Sequence, residues 1–127
     1  MSLRLVAEHE AAHAVVAAYY GVHVEQVEAT AGRGRTRCGP AASPRHDAAI
    51  DAAGDVWDRE FTTQPYRDAA CSDLLRLERG VGAAGVWQAR RDARKALTIH
   101  QTAVRRMADQ LERHGRLTVV RGQLVPG

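Results

Sequence analysis

His9, Glu10 and His13 stand in the spacing H-E-x-x-H within "AEHEAAHAVVAAYYG", residues 7–21. In a helix, side chains four positions apart share a face, so the two imidazoles can converge on one ion. Zinc takes neutral imidazole nitrogen at about 2.0–2.1 Å and, in catalytic sites, keeps three protein ligands and a position for water. Glu10 follows the first imidazole by one residue, roughly 100° around the helix. From there its carboxylate addresses that water rather than the ion. The chemistry permitted is polarisation of a scissile carbonyl, with Glu10 taking the water proton and passing it to the leaving amine.

The face that carries the two histidines is otherwise apolar: Val6, His9, His13, Val16 and Tyr20 follow one helical stripe. Imidazoles on such a face need partners, and one metal ion would serve both. Two histidines leave the third ligand open. By chemistry alone Asp55, Asp58, Glu60, Asp68, Cys71, Asp73 and Glu78 are all candidates.

The elements that must position these groups follow from periodicity and stop signals. Ser2 caps a first helix from about Leu3 to Tyr20, and Gly21 ends it. "VHVEQVEAT" then reads as a short, imperfect strand. Residues 31–44, "AGRGRTRCGPAASP", are rich in Gly, Pro and Arg and read as an exposed loop in which Arg33, Arg35 and Arg37 are solvated. Ile50, Ala53, Val56, Trp57 and Phe61 recur at helical spacing, which predicts a second helix over 48–61. A third begins at Cys71 and runs to about Arg79, where Gly80, Gly82 and Gly85 interrupt it. A long helix from about Val86 to Arg113 follows, with Leu97, Val104, Ala108 and Leu111 facing the core, and His114-Gly115 closes it. The tail "RLTVVRGQLVPG" has the pattern of a short strand or hairpin. Trp57 and Trp87 read as core or interface anchors.

Composition bounds the setting. A chain of 127 residues suits one domain with one core, spanning 1–127. Its apolar content is heavy in alanine and poor in aromatics, which suits close-packed helices better than a β-sandwich. The formal net charge of +3 is small, and the acidic residues are spread along the chain, which argues against a nucleic-acid footprint. Cys38 and Cys71 make neither a C-x-x-C pair nor a disulfide framework, so reduced thiols and a cytoplasmic location are expected. No segment approaches the roughly 20 apolar residues of a membrane-spanning helix, and no secretory leader is apparent.

"HEAAHAVVAAYYG" resembles the zinc-binding helix of the FtsH-type peptidase domain, the protease half of the membrane-bound AAA proteases, whose usual form is H-E-A-G-H-A. "VEQVEATAGRGRTRCGP" is similar to the strand and Gly-rich turn that follow it, and "AAIDAAGDVWDREF" occupies the place of the next helix. "ACSDLLRLE" resembles that family's Asn/Ser-Asp-Leu segment, whose aspartate is the third zinc ligand, and by position that ligand is Asp73. "HQTAVRRMADQLERHGRLT" is similar to the closing helix. The resemblance implies a mainly α, helical zincin-like metallopeptidase domain with a short β-strand or hairpin after the first helix. It implies Zn²⁺ held by His9, His13 and Asp73, Glu10 as general base, and a peptide or unfolded protein segment as substrate. It also places the strand near Val24 to Ala29 at an edge where an extended substrate can pair.

Departures from the family pattern limit what is carried over. Ala12 stands where the family has glycine, and "AGDVWDRE" replaces its more regular acidic pair, so no role passes to Asp58 or Glu60. The 127 residues contain no G-x-x-x-x-G-K-S/T phosphate loop, so ATP-driven unfolding is expected only from a separate ATPase or adaptor. Two other functions share the same helix: a zinc-binding interaction module with weak or no turnover, and a regulatory zinc peptidase that cleaves repressors. An Arg-rich nucleic-acid binder would be indifferent to chelators. The oligomeric state is left open.

Overall fold

The computed structural model describes residues 2–62 and 71–127, with side chains given from residue 77 onward in the second stretch. It is mainly helical, with helices α1 (Leu3–Tyr19), α2 (Pro44–Glu60), α3 (Cys71–Ile99) and α4 (Gln101–His114). Strands β1 (Val24–Thr30), β2 (Arg33–Cys38), β3 (Arg116–Val120) and β4 (Gln123–Pro126) form one antiparallel sheet in the order β2-β1-β3-β4.

Helix α1 is the centre of the molecule. Ser2 caps it by accepting from the Leu5 amide, and a positive φ at Gly21 closes it, with the Gly21 N–H donating to the Ala18 carbonyl and the Val22 N–H to the Ala17 carbonyl. Helices α2 and α4 and strands β1 and β2 all pack on it. Ala7, Ala11, Ala12, Ala14 and Ala17 are buried, and their small side chains let these neighbours approach from several directions at once. A helix enclosed in this way has little of the two-faced character of a surface helix, so charged residues within it must find partners inside the protein.

Helix α2 begins with Ser43 accepting from the His46 amide and Pro44 in the first turn. Its buried Ala49, Ala53, Val56 and Trp57 join the core, and α3 covers it with Ala89, Ala93, Ala96 and Leu97. Two ion pairs tie the same helices at their ends, Arg45 to Asp92 at 2.9 Å and Arg94 to Glu60 at 2.6 Å.

One expectation about these elements agrees with the structure and two are corrected. The expected glycine interruption after Arg79 is present as a non-helical kink at Gly82, φ 73° and ψ 174°, which joins the two helical segments of α3. The long helix expected over 86–113 is broken at His100, because α3 must lie along α2 while α4 lies along α1. The β-branched Thr98 and Ile99 lower helix propensity at that point. Leu97, Val104, Ala108 and Leu111 are nevertheless all fully buried.

The second correction lies in the sheet. Residues 33–38, expected as part of a loop, form β2, paired in register from Thr30 with Arg33 to Ala29 with Gly34 and Val27 with Thr36. Gly32, at φ 92°, makes the turn. Because β3 pairs with the other side of β1, the strand near Val24 to Ala29 that was expected at an edge is interior, and among the described residues β2 is the edge. At the far end, Arg121 and Gly122 both have positive φ, the conformation of a two-residue type I′ hairpin. Of the two tryptophans, Trp57 is in the core, whereas Trp87 is exposed with the Arg91 guanidinium 5.5 Å from its ring.

Candidate metal centre

Helix α1 turns His9, Glu10 and His13 toward α2 and β2. The Nδ1 of His13 lies 2.7 Å from the backbone carbonyl of Ile50, and the Nδ1 of His9 lies 2.7 Å from Oδ2 of Asp58. A carbonyl can only accept, so His13 carries its proton on Nδ1, and the Asp58 carboxylate holds His9 in the same tautomer. Both rings therefore direct Nε2 lone pairs inward, where the two nitrogens are 3.2 Å apart. Two lone pairs at that distance repel unless a proton or a cation lies between them. Two nitrogens each about 2.0–2.1 Å from a tetrahedral zinc ion are separated by about 3.3 Å, so the donor set fits one such ion.

Three residues of α2, each one turn apart, create this arrangement. Ile50 supplies the carbonyl, Asp58 supplies the carboxylate, and Gly54 between them supplies space. A Cβ on Gly54 would lie 2.5 Å from His9 Nε2 and 2.6 Å from His13 Nε2. Glycine costs about 1 kcal/mol relative to alanine inside a helix. Here it leaves open the point toward which both imidazoles are aimed.

The rotation of α1 about its axis is set by its buried acid next to His9. Glu8 accepts from the Trp57 indole Nε1 at 2.7 Å and from Arg4 Nε at 2.8 Å. Arg4 extends the tie to α4 through Asp109 and Glu112. Burial opposes the Arg4 charge, but the three carboxylates override it and hold the guanidinium pKa above its ordinary value. Glu8 precedes His9 and Trp57 precedes Asp58, so this bond fixes both partners of the His9–Asp58 pair.

Glu10 occupies the opposite side of the imidazoles. Its Oε1 lies 2.8 Å from Thr36 Oγ1 on β2, and the same hydroxyl is 2.9 Å from the Glu10 backbone carbonyl. Gly34, also on β2, admits the side chain: a Cβ there would lie 2.5 Å from Glu10 Cγ and 2.8 Å from its Oε2. Glu10 and His13 open onto a cleft of about 440 Å³ bordered by Gly34, Thr36, Cys38, Ile50 and Asp51.

The charges around the site are set by burial. Asp58 is almost fully buried, and desolvation pushes its carboxyl above the usual aspartate range, against the hydrogen bond and charge of His9. Its Oδ1 has no hydrogen-bond partner among the described residues. Burial likewise pushes the Cys38 thiol up, with Asp47, Asp51 and Glu25 acting in the same direction, which keeps it a neutral thiol beside the cleft.

Of the predicted site residues, His9, Glu10 and His13 are brought together. Asp73 lies in the first turn of α3, and its side chain is outside the described residues, as are those of Asp68 and Cys71. Among the described residues no third His, Cys, Asp or Glu joins the imidazoles in a metal-binding group. Asp55 faces Arg59 at 2.8 Å and Arg90 at 3.2 Å, Glu60 is bound by Arg94, and Glu78 is exposed. Asp58, a candidate third ligand by chemistry to which the resemblance passed no role, is instead the partner of His9 Nδ1. The spacing Ile50, Gly54, Asp58 was the available signal, since it places a gap and a carboxylate on one helical stripe.

No protein-family model matches the sequence, and no curated protein matches it.

Proposed function

We propose that this protein is a zinc-dependent metalloendopeptidase of the FtsH peptidase type, hydrolysing peptide bonds in peptides or unfolded protein segments. The observation that carries the proposal is the convergence of His9 and His13 Nε2 at 3.2 Å, each ring locked through Nδ1, with Glu10 beside them at an open cleft.

His9 and His13 would hold the ion, with Asp73 as the third ligand on the strength of the resemblance. When bound, zinc supplies Lewis-acid polarisation of a carbonyl and a water of lowered pKa. The protein's own groups do the rest. Glu10 takes a proton from the attacking water and returns it to the leaving nitrogen. Thr36 holds one carboxylate oxygen of Glu10, so the other is the one presented to the reaction. Asp58 and the Ile50 carbonyl keep both imidazoles in the tautomer that donates Nε2.

The edge strand β2 borders the same cleft, and its outer side, which pairs with no strand among the described residues, can receive an extended chain. Backbone pairing tolerates many sequences but requires an unfolded segment. Folded substrates would therefore need a separate ATPase or adaptor to deliver them. No described helix is long and apolar enough to cross a membrane, and a reducing, cytoplasmic setting belongs to this proposal.

Metal analysis with a peptide-cleavage assay tests it. The protein should bind one zinc ion, lose cleavage on treatment with a chelator and regain it with zinc. Chelator-resistant cleavage would contradict the proposal. Asp73→Ala should lose zinc, and full retention would remove Asp73 from the ligand set.

A further inference from the structure

The edge of β2, unpaired among the described residues, carries a charge pattern as well as hydrogen-bonding groups. Arg33, Arg35 and Arg37 alternate with Gly34, Thr36 and Cys38, so the guanidinium groups are exposed while the small side chains turn toward the protein. On the exposed face, β1 sets Glu28 opposite Arg35, and β3 sets Arg116 opposite the same Glu28, 3.5 Å away. Glu25 lies 3.4 Å from Arg37. Two carboxylates thus face four guanidinium groups. Arg35 and Arg37 also border the cleft that contains Glu10 and His13.

A second copy of the chain is a poor occupant of this edge. Pairing β2 with β2 would set two rows of arginine against each other, and like charges directly opposite are destabilising. Single-stranded nucleic acid is usually held by basic grooves with aromatic rings on which bases stack, and residues 24–38 contain no Phe, Tyr or Trp. An extended peptide fits better. Directly opposed side chains in paired strands stand about 4.5–5.5 Å apart, a distance over which an arginine fork and a carboxylate meet, often through two hydrogen bonds.

We propose that the β2 edge selects extended segments bearing Asp or Glu at alternate residues, with Arg33, Arg35 and Arg37 as the specificity-determining side chains. The inference rests on the peptide-hydrolase proposal for the adjoining cleft. The intervening substrate side chains would turn toward Glu10 and His13, so the cleaved bond lies within an acidic, alternating segment.

Fluorescence anisotropy on the Glu10→Gln protein measures binding apart from turnover. Three labelled peptides of equal length serve as probes: glutamate on three alternate residues, three consecutive glutamates, and lysine on three alternate residues. The alternating glutamate peptide should bind about tenfold more tightly than the lysine peptide and severalfold more tightly than the consecutive one. Combined Arg33→Gln, Arg35→Gln and Arg37→Gln substitution should abolish both differences. Equal affinities, or preferences that survive the triple substitution, would overturn the inference. So would a single-stranded oligonucleotide that outcompetes the alternating peptide, or a dimer at assay concentration that the triple substitution alters. If the acidic preference is present but wild type cleaves nothing, the hydrolase proposal fails on its own. Cleavage of all three peptides at equal efficiency overturns the acidic preference alone.

Discussion

The carboxylate of Asp58 accepts the Nδ1 proton of His9 at 2.7 Å, joining residues 49 positions apart in the chain. This contact turns a histidine on a buried helix into a directed electron-pair donor. Outer carboxylates of this kind fix the tautomer of a metal-bound imidazole and raise its basicity.

Asp58→Asn therefore should weaken zinc binding about ten- to a hundredfold, the usual effect of losing such a partner. Competition with a chromophoric chelator measures this directly. Unchanged affinity would mean that the pair is structural only.

Gly54→Ala should abolish zinc binding by placing a methyl carbon against both Nε2 atoms. The readout is the thermal shift on adding zinc, which should be present in the wild type and absent in the variant. A normal zinc-induced shift in Gly54→Ala would contradict the site as described.

Thr36→Val removes the hydroxyl that holds Glu10 while keeping a β-branched side chain on the strand. Zinc stoichiometry should be retained and kcat should fall about tenfold, equivalent to about 1.4 kcal/mol in the barrier. A loss confined to KM would assign Thr36 to substrate binding instead.

Much of the scaffold was legible in the sequence, for identifiable reasons. Ser2 and Gly21 bracket α1, and Ile50, Val56 and Trp57 mark the buried side of α2, because caps and helical periodicity are local signals. Strand β2 was not legible. Its inward residues, Gly34, Thr36 and Cys38, are small because α1 and the Glu10 side chain lie against it, so the usual hydrophobic alternation is missing. The break at His100 was also hidden, since the stripe from Leu97 to Val104 keeps helical spacing although the two helices serve different neighbours. At the site, H-E-x-x-H announced two imidazoles and a neighbouring carboxylate on one helix, and the structure brings the imidazoles together. The spacing of Ile50, Gly54 and Asp58 puts them on one stripe of α2, but that this stripe faces the imidazoles depends on how α2 docks on α1.

Trp57→Phe should destabilise the fold by about 1–3 kcal/mol, the cost of leaving a buried acceptor without its donor. Glu8 is the acceptor concerned, and it has Arg4 as its other partner. Urea denaturation provides the measurement, and an unchanged midpoint would show that Arg4 alone suffices.

Acid should loosen the contact between α2 and α3. The hydrogen bond from Arg45 holds Asp92 below the usual aspartate range, against a smaller effect of burial. Unfolded Asp92 then takes up a proton near the ordinary value of about 3.9, while the folded residue stays charged to lower pH. Its contribution is full above that value and is lost as pH falls from there through the folded pKa. Thermal midpoints measured from neutral pH down to about 3 should fall less steeply in Asp92→Asn than in wild type. Parallel curves would contradict the assignment.

The most direct test of the central claim is a side-by-side measurement of zinc content and peptide cleavage in wild type and Glu10→Gln. The account predicts one bound zinc ion in both proteins and cleavage in the wild type alone. Equal cleavage by the two, or a wild type that binds no zinc, would contradict it.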